Sequence, residues 1–248
     1  MFECIIFILG LVIGSFLNVC IYRLPQSQSI LIPSSHCMTC GRRLNPLDLV
    51  PIISYLLSKG RCHYCGAVFS LRYPLVELLT ACLFIWCLQV FGLSFELIRA
   101  LILTVFLIVI TFIDYDHQLI LDKILLWLSG AGVVINFWTG NVAIGDMLVA
   151  SMLGGGILLL VAAASRGGMG GGDIKFAAAL GLWLSWKCIL LMLFLAFVFG
   201  SLISMLLLFF KRKGRKDKIP FGPFIALGAF LSMLYGIEII TWYVEGFY

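Results

Sequence analysis

Twelve acidic residues in a chain of 248 are few enough to weigh one by one. Most sit in loops or at the ends of apolar runs, leaving Glu77, Asp114, Asp116, Asp122 and Asp173. Asp114 closes the apolar run Leu101–Ile113, and Asp116 and Asp122 lead into the next one. Asp173 follows residues 167–172, five of whose six members are glycine. A carboxylate at the centre of a membrane helix costs roughly 2.5–3.5 kcal/mol, so such groups face a bundle interior or a wet cavity. Two carboxyls held within a few Å of each other cannot both ionise easily; they share a proton and their pKa values split. The ionised one can activate water while the protonated one polarises a peptide carbonyl, which is aspartyl proteolysis. The plainer reading makes Asp114 and Asp116 an interfacial helix cap, and Asp173 the N-cap after a flexible turn. A nucleotide loop is disfavoured, since no strand precedes the glycines and no Gly-Lys-Ser/Thr follows them. Neither Gly-x-Ser-x-Gly nor His-Glu-x-x-His occurs, so serine and zinc proteolysis lack their signatures.

Cys37-Met-Thr-Cys40-Gly and Cys62-His-Tyr-Cys65-Gly form the second constellation, spaced C-x2-C-x21-C-x2-C. Each C-x2-C turn can bring two thiolates to one ion, and two turns complete a closed tetrahedral shell. Such a zinc has no open position and stabilises rather than catalyses. His36 and His63 adjoin the ligands as rival donors. A pair of disulfides is the other reading, and the compartment decides between them. Cys4, Cys20, Cys82, Cys87 and Cys188 fall in apolar runs and read as small packing residues.

The elements that must position these groups follow from composition. Apolar residues make up 62% of the chain and charged residues 12%, with a mean hydropathy of +1.11. Globular domains carry roughly 45–50% apolar and about 25% charged residues. Disorder, collagen and secreted disulfide scaffolds are excluded, and an all-α polytopic transmembrane bundle remains. Met1–Cys20 reads as a first span rather than a cleaved signal, since no basic stretch precedes it. Seven more segments follow, at roughly 73–92, 97–113, 118–138, 144–164, 174–186, 188–210 and 220–244, for about eight spans. The organisation read from this is a first helix (1–22), a Cys4 zinc module (23–72) and a membrane-embedded core (73–248). With the N-terminus outside, fifteen of seventeen Lys and Arg residues lie inside, and only Arg99 and Lys187 outside. The run Lys211–Lys218 is then a topology anchor near anionic lipid, not a nucleic-acid patch. The Cys loop becomes cytosolic, which favours reduced thiols and zinc, and both Asp114 and Asp173 fall at cytosolic helix ends.

These residues resemble the bacterial type IV prepilin peptidases, among the Gly-x-Gly-Asp intramembrane aspartyl proteases. The likeness rests on Gly14–Val19 with Tyr22–Pro25, Leu49–Tyr55 between the cysteine pairs, Arg72–Leu78, Ile113–Asp116, Gly170–Lys175 and Pro220–Phe224. It covers nearly the whole chain. It implies cleavage of prepilin or pseudopilin leaders after a glycine, at the cytosolic face of the bacterial cytoplasmic membrane. It also implies N-methylation of the new N-terminus from S-adenosylmethionine. The catalytic pair carries over to Asp114 and Asp173, with Asp116 the alternative to Asp114. The family's Pro-Asp after the first catalytic motif reads Ile120-Leu-Asp122 here, without proline. The residues that bind the methyl donor are not legible; Asn18 and Glu77 are candidates for methyl transfer or for plain helix packing. A transporter or scaffold with a zinc-stabilised loop is the reading from a different class.

Overall fold

A computed structural model describes residues 1–140, 142–165, 168–210 and 219–246. Among these the chain is helical, with two isolated β-bridges and no strand. The α-helices among the described residues are α1 (Phe2–Arg23), α2 (Ile53–Leu57), α3 (Arg72–Phe91), α4 (Phe95–His117), α5 (Asp122–Thr139), α6 (Ile144–Ala164), α7 (Gly171–Gly181), α8 (Trp186–Phe209) and α9 (Gly222–Glu245). The basic run Lys211–Lys218 and Arg166 lie outside the described residues.

Among the described residues six helices, α1, α3, α4, α6, α8 and α9, are long and apolar enough to cross a membrane. The chain is a multi-pass membrane protein. The expected count of eight is corrected to six, and the difference falls on α5 and α7. α7 has 11 residues, about 16 Å of helix at 1.5 Å per residue, against about 30 Å of hydrocarbon. α5 has 18 residues but opens on Asp122-Lys123 and includes Asn136, which lowers its mean hydropathy.

The chain divides into two compact units, Met1–Val109 and Ile110–Tyr248. In the first, α1 packs on α3 through glycine. A Cβ on Gly10 would lie 2.5 Å from the Cα of Ala81, and one on Gly14 would lie 2.7 Å from the Cα of Glu77. Small residues let membrane helices approach this closely, because lipid supplies no hydrophobic drive for helices to associate. Asn18 donates to the Tyr73 carbonyl at 3.1 Å and joins the same two helices. Leu17, Val76, Phe84 and Leu103 fill the core.

In the second unit α5 and α7 run side by side in parallel. Their starts are joined by Lys175 Nζ and Asp122 at 2.9 Å, and their ends by Asn136 Nδ2 donating to the Leu182 carbonyl at 2.7 Å. Trp183, fully buried, donates its indole N–H to the Leu128 carbonyl at 2.8 Å. Gly154 and Gly181 set α6 against α7, where a Cβ would meet the backbone of Ala177 and Ser151. Ser232 of α9 donates to the Cys188 carbonyl of α8 at 2.6 Å. These contacts bring the start of α7 and the start of α9 to the end of α4.

Candidate active site and metal centre

Asp114 lies in the last turn of α4 and Asp173 in the first turn of α7. Both are buried, at 5% and 9% exposure. The start of α9 supplies a third component: the Gly222 backbone N–H donates to Asp114 Oδ2 at 2.9 Å. Burial, and next the nearby Asp114 carboxylate, push the Asp173 carboxyl up to about 6, against the opposing Gly170 backbone N–H. The second unit therefore holds two interacting carboxyls in a dry setting, one of which keeps its proton to higher pH than an ordinary aspartate. The neighbouring acids are placed differently. Asp116, two residues beyond Asp114, is exposed, as the i, i+2 offset on a helix dictates. Asp122 is engaged by Lys175 at the surface.

That shift has a sign that kinetics can read. A raised carboxyl is protonated below its pKa and loses the proton as pH rises through it. If Asp173 supplies the proton, kcat/KM bends downward above about pH 6, by about tenfold per pH unit. A kcat/KM profile flat through the alkaline range would contradict that role.

The cysteine pairs lie in the first unit, each on a tight turn. The Gly41 N–H donates to the Cys37 carbonyl at 2.8 Å, and the Gly66 N–H to the Cys62 carbonyl at 2.9 Å. Gly41 and Gly66 hold φ of 68° and 73°, in the left-handed region that favours glycine. The bridges His36–Arg43 and Arg61–Val68 close the two turns. All four sulfurs lie within 4.8 Å of one another, and Cys37 Sγ is 3.7 Å from Cys65 Sγ. A disulfide needs about 2.05 Å. The edge of a tetrahedron of sulfurs about 2.3 Å from a central ion is about 3.8 Å. The cluster could hold a metal ion. His36 and His63, the rival donors, point elsewhere, to the Ser34 carbonyl at 3.0 Å and to Asp48 at 3.7 Å.

The thiols also show why a cation suits them. Backbone N–H groups of Cys40 and Thr39 hold the Cys37 thiol down at about 6. Cys65 goes the other way, to about 12: the Ala67 N–H favours its thiolate, but partial desolvation and the surrounding sulfurs outweigh it. Thiolates this close together repel one another, which a cation between them would relieve.

A cavity of about 330 Å³ opens in the same unit. Asn18, Tyr22, Tyr55, Tyr73 and Glu77 line it, with residues of both cysteine turns. Glu77 is buried and accepts the Ile52 N–H at 2.8 Å. Ile52 holds φ 59°, a costly backbone for a β-branched residue, and the Glu77 carboxylate helps to pin it.

Two families match in succession. Residues 8–91 match the bacterial peptidase A24 N-terminal domain, and residues 101–205 match the type IV leader peptidase family. A protein of Aeromonas salmonicida strain A449, named prepilin leader peptidase/N-methyltransferase, is 33% identical over 99% of this chain and 94% of its own. The chain belongs to the type IV leader peptidase family. A Bacillus subtilis strain 168 protein of the same name is 36% identical over 97% of both chains, and one from Pseudomonas aeruginosa PAO1 is 31% identical over 96% and 92%. No solved structure matches. In this leader peptidase the second match contains Asp114 and Asp173 and ends at residue 205, before Gly222. The contact of Gly222 with Asp114 was not foreseen from sequence; the only cue was the Phe221-Gly-Pro223 interruption before the last apolar run.

Proposed function

We propose that this leader peptidase hydrolyses type IV prepilins or pseudopilins at the cytosolic membrane face, with Asp114 and Asp173 as the dyad. The observation that carries this reading is the pair of buried carboxyls at the meeting of α4, α7 and α9. One carboxylate takes a proton from water as its oxygen adds to the scissile carbonyl carbon; the other gives its proton to the carbonyl oxygen. Collapse of the neutral diol breaks the C–N bond. The departing amine takes up the proton held by the first carboxyl, and a diol hydroxyl returns one to the second. The cytosolic orientation is supported by the twelve basic residues of 23–72 and 211–218, which with the N-terminus outside fall on the side where α4 ends.

The four cysteines hold zinc, in a closed shell with no catalytic position. After cleavage the new N-terminus is methylated. S-adenosylmethionine supplies an electrophilic methyl group for that reaction. The cavity of the first unit fits such a cofactor: its volume suits a nucleoside-sized molecule, and aromatic faces and a buried carboxylate line it. Tyr22, Tyr55 and Tyr73 would flank the cofactor, and Glu77 and Asn18 would orient its polar groups or the incoming amine.

Glu77→Gln keeps the shape of the side chain and removes its charge. It is expected to lower methylation at least tenfold and to leave leader cleavage within about twofold of wild type. Mass measurement of pilin matured by purified protein reads both reactions. Full methylation by Glu77→Gln would remove Glu77 from the methyl-transfer site, and an intact leader after incubation with wild-type protein would overturn the peptidase reading.

A further inference from the structure

The first turn of α9 is built to present one amide. Phe221 is its N-cap, Gly222 the first helical residue, and Pro223 the second. Pro223 has no N–H to offer. The amides of Phe224 and Ile225 are already donated to the Phe221 carbonyl, at 3.0 and 3.2 Å. Of the orphan donors that open a helix, Gly222 therefore supplies the one aimed outward, and it meets Asp114 Oδ2 at 2.9 Å in a buried contact. The approach depends on glycine. A Cβ here would lie 2.6 Å from that oxygen and 3.1 Å from the carboxyl carbon. Phe221 is in turn held by ring contacts to Phe197 of α8, centroids 5.4 Å apart, and to Phe224 at 6.2 Å.

A carboxylate that accepts a backbone N–H at a helix start is favoured in its charged form. The same contact occupies Oδ2 and leaves Oδ1 outside that bond. We infer that Gly222 is the positioning residue of the dyad: its amide fixes Asp114 as the ionised member, which takes the water proton, and leaves Asp173 to protonate the substrate carbonyl. This rests on the dyad reading above. The raised Asp173 carboxyl agrees with it, since Asp173 meets the charge of an ionised Asp114. Among the described residues the other titratable or charged groups near this end are Asp116 and His117 in the last turn of α4, and Asp122 paired with Lys175. The first three turns of α9 carry no titratable side chain.

The test is the pH profile of prepilin cleavage by Gly222→Ala. The added methyl pushes Asp114 off the amide, so its charged form loses a donor. The acid limb of kcat/KM is expected to move up by about one pH unit, with kcat at its optimum falling ~10–100-fold and KM within about twofold. A fall in kcat with the acid limb unmoved, a change confined to KM, or activity within about twofold of wild type would overturn the assignment. Phe221→Leu answers the case in which Gly222→Ala fails to accumulate. It loosens the same amide without adding atoms beside Asp114, and the same upward shift, smaller, is expected; an unmoved limb overturns the assignment. Asp114→Asn run in parallel separates the two readings. Retained cleavage there sinks the dyad itself, whereas lost cleavage with a normal Gly222→Ala profile sinks only the role of Gly222.

Discussion

Asp114→Asn and Asp173→Asn are each expected to lower kcat/KM for prepilin cleavage by at least ~10³-fold while the protein still accumulates in membranes. Asparagine keeps the shape of aspartate but can neither take the proton from water nor carry one to the carbonyl. Proton transfer by a positioned side chain is worth about 10²–10⁴, and loss of either partner also removes the shared proton. A thousandfold is about 4 kcal/mol of transition-state stabilisation. Because the pair acts as one unit, the double variant should be little slower than either single one. Folding should survive, since among the described residues neither side chain anchors an ion pair: Asp114 meets the Gly222 amide, and an asparagine carbonyl oxygen can accept the same bond. Asp116→Asn, at an exposed position, should stay within about threefold of wild type. A large loss there with Asp114→Asn active would transfer the role to Asp116.

Removal of the metal is the second large effect. Between residues 24 and 71, only Cys37, Gly60 and Cys62 are buried. This stretch holds one five-residue helix and one 3-10 turn and has no apolar core of its own. Structural zinc in peptides of this kind is worth about 10–16 kcal/mol of apparent folding free energy at neutral pH. Nothing else in the stretch supplies energy on that scale. Cys37→Ser or Cys62→Ser, or exhaustive chelation, is therefore expected to unfold the module and leave the spanning helices in the membrane. Three readouts should move together: zinc falls from one per chain, the module becomes open to protease, and methylation drops more than tenfold. The last follows because residues of both cysteine turns line the cavity proposed for the methyl donor. A metal-free protein with a protease-resistant module would contradict the structural role.

The parts of this protein legible in its sequence are those in which residue type alone narrows the chemistry. Four cysteines in two C-x2-C turns name their own geometry, and the sulfurs do converge within 4.8 Å. Asp114 and Asp173 stood out because carboxylates are scarce at the ends of apolar runs, and the structure buries both. The Gly222 contact was hidden because it is made by a backbone amide 108 residues from Asp114. Every residue but proline carries such an amide, so residue type gives no cue. The span count erred for a related reason. Hydropathy follows composition, and residues 176–184 carry no polar or charged side chain able to hydrogen-bond except the Trp183 indole, yet helix α7 stops at Gly181. Beyond it the chain turns, with the Trp183 and Leu184 amides both donated to the Leu180 carbonyl. The cavity of the first unit was invisible because its lining comes from α1, α3 and both cysteine turns. Only Asn18 and Glu77, polar residues in or near the early spans, hinted at it.

The most direct test of the central claim is incubation of purified, zinc-loaded protein with a purified prepilin in detergent, followed by mass measurement of all products. A dyad peptidase should yield two fragments whose masses sum to prepilin plus one water, with the leader ending in glycine. The Asp114→Asn/Asp173→Asn double variant should leave the prepilin whole. An intact prepilin with the wild-type protein, or the same two fragments from the double variant, would contradict the account.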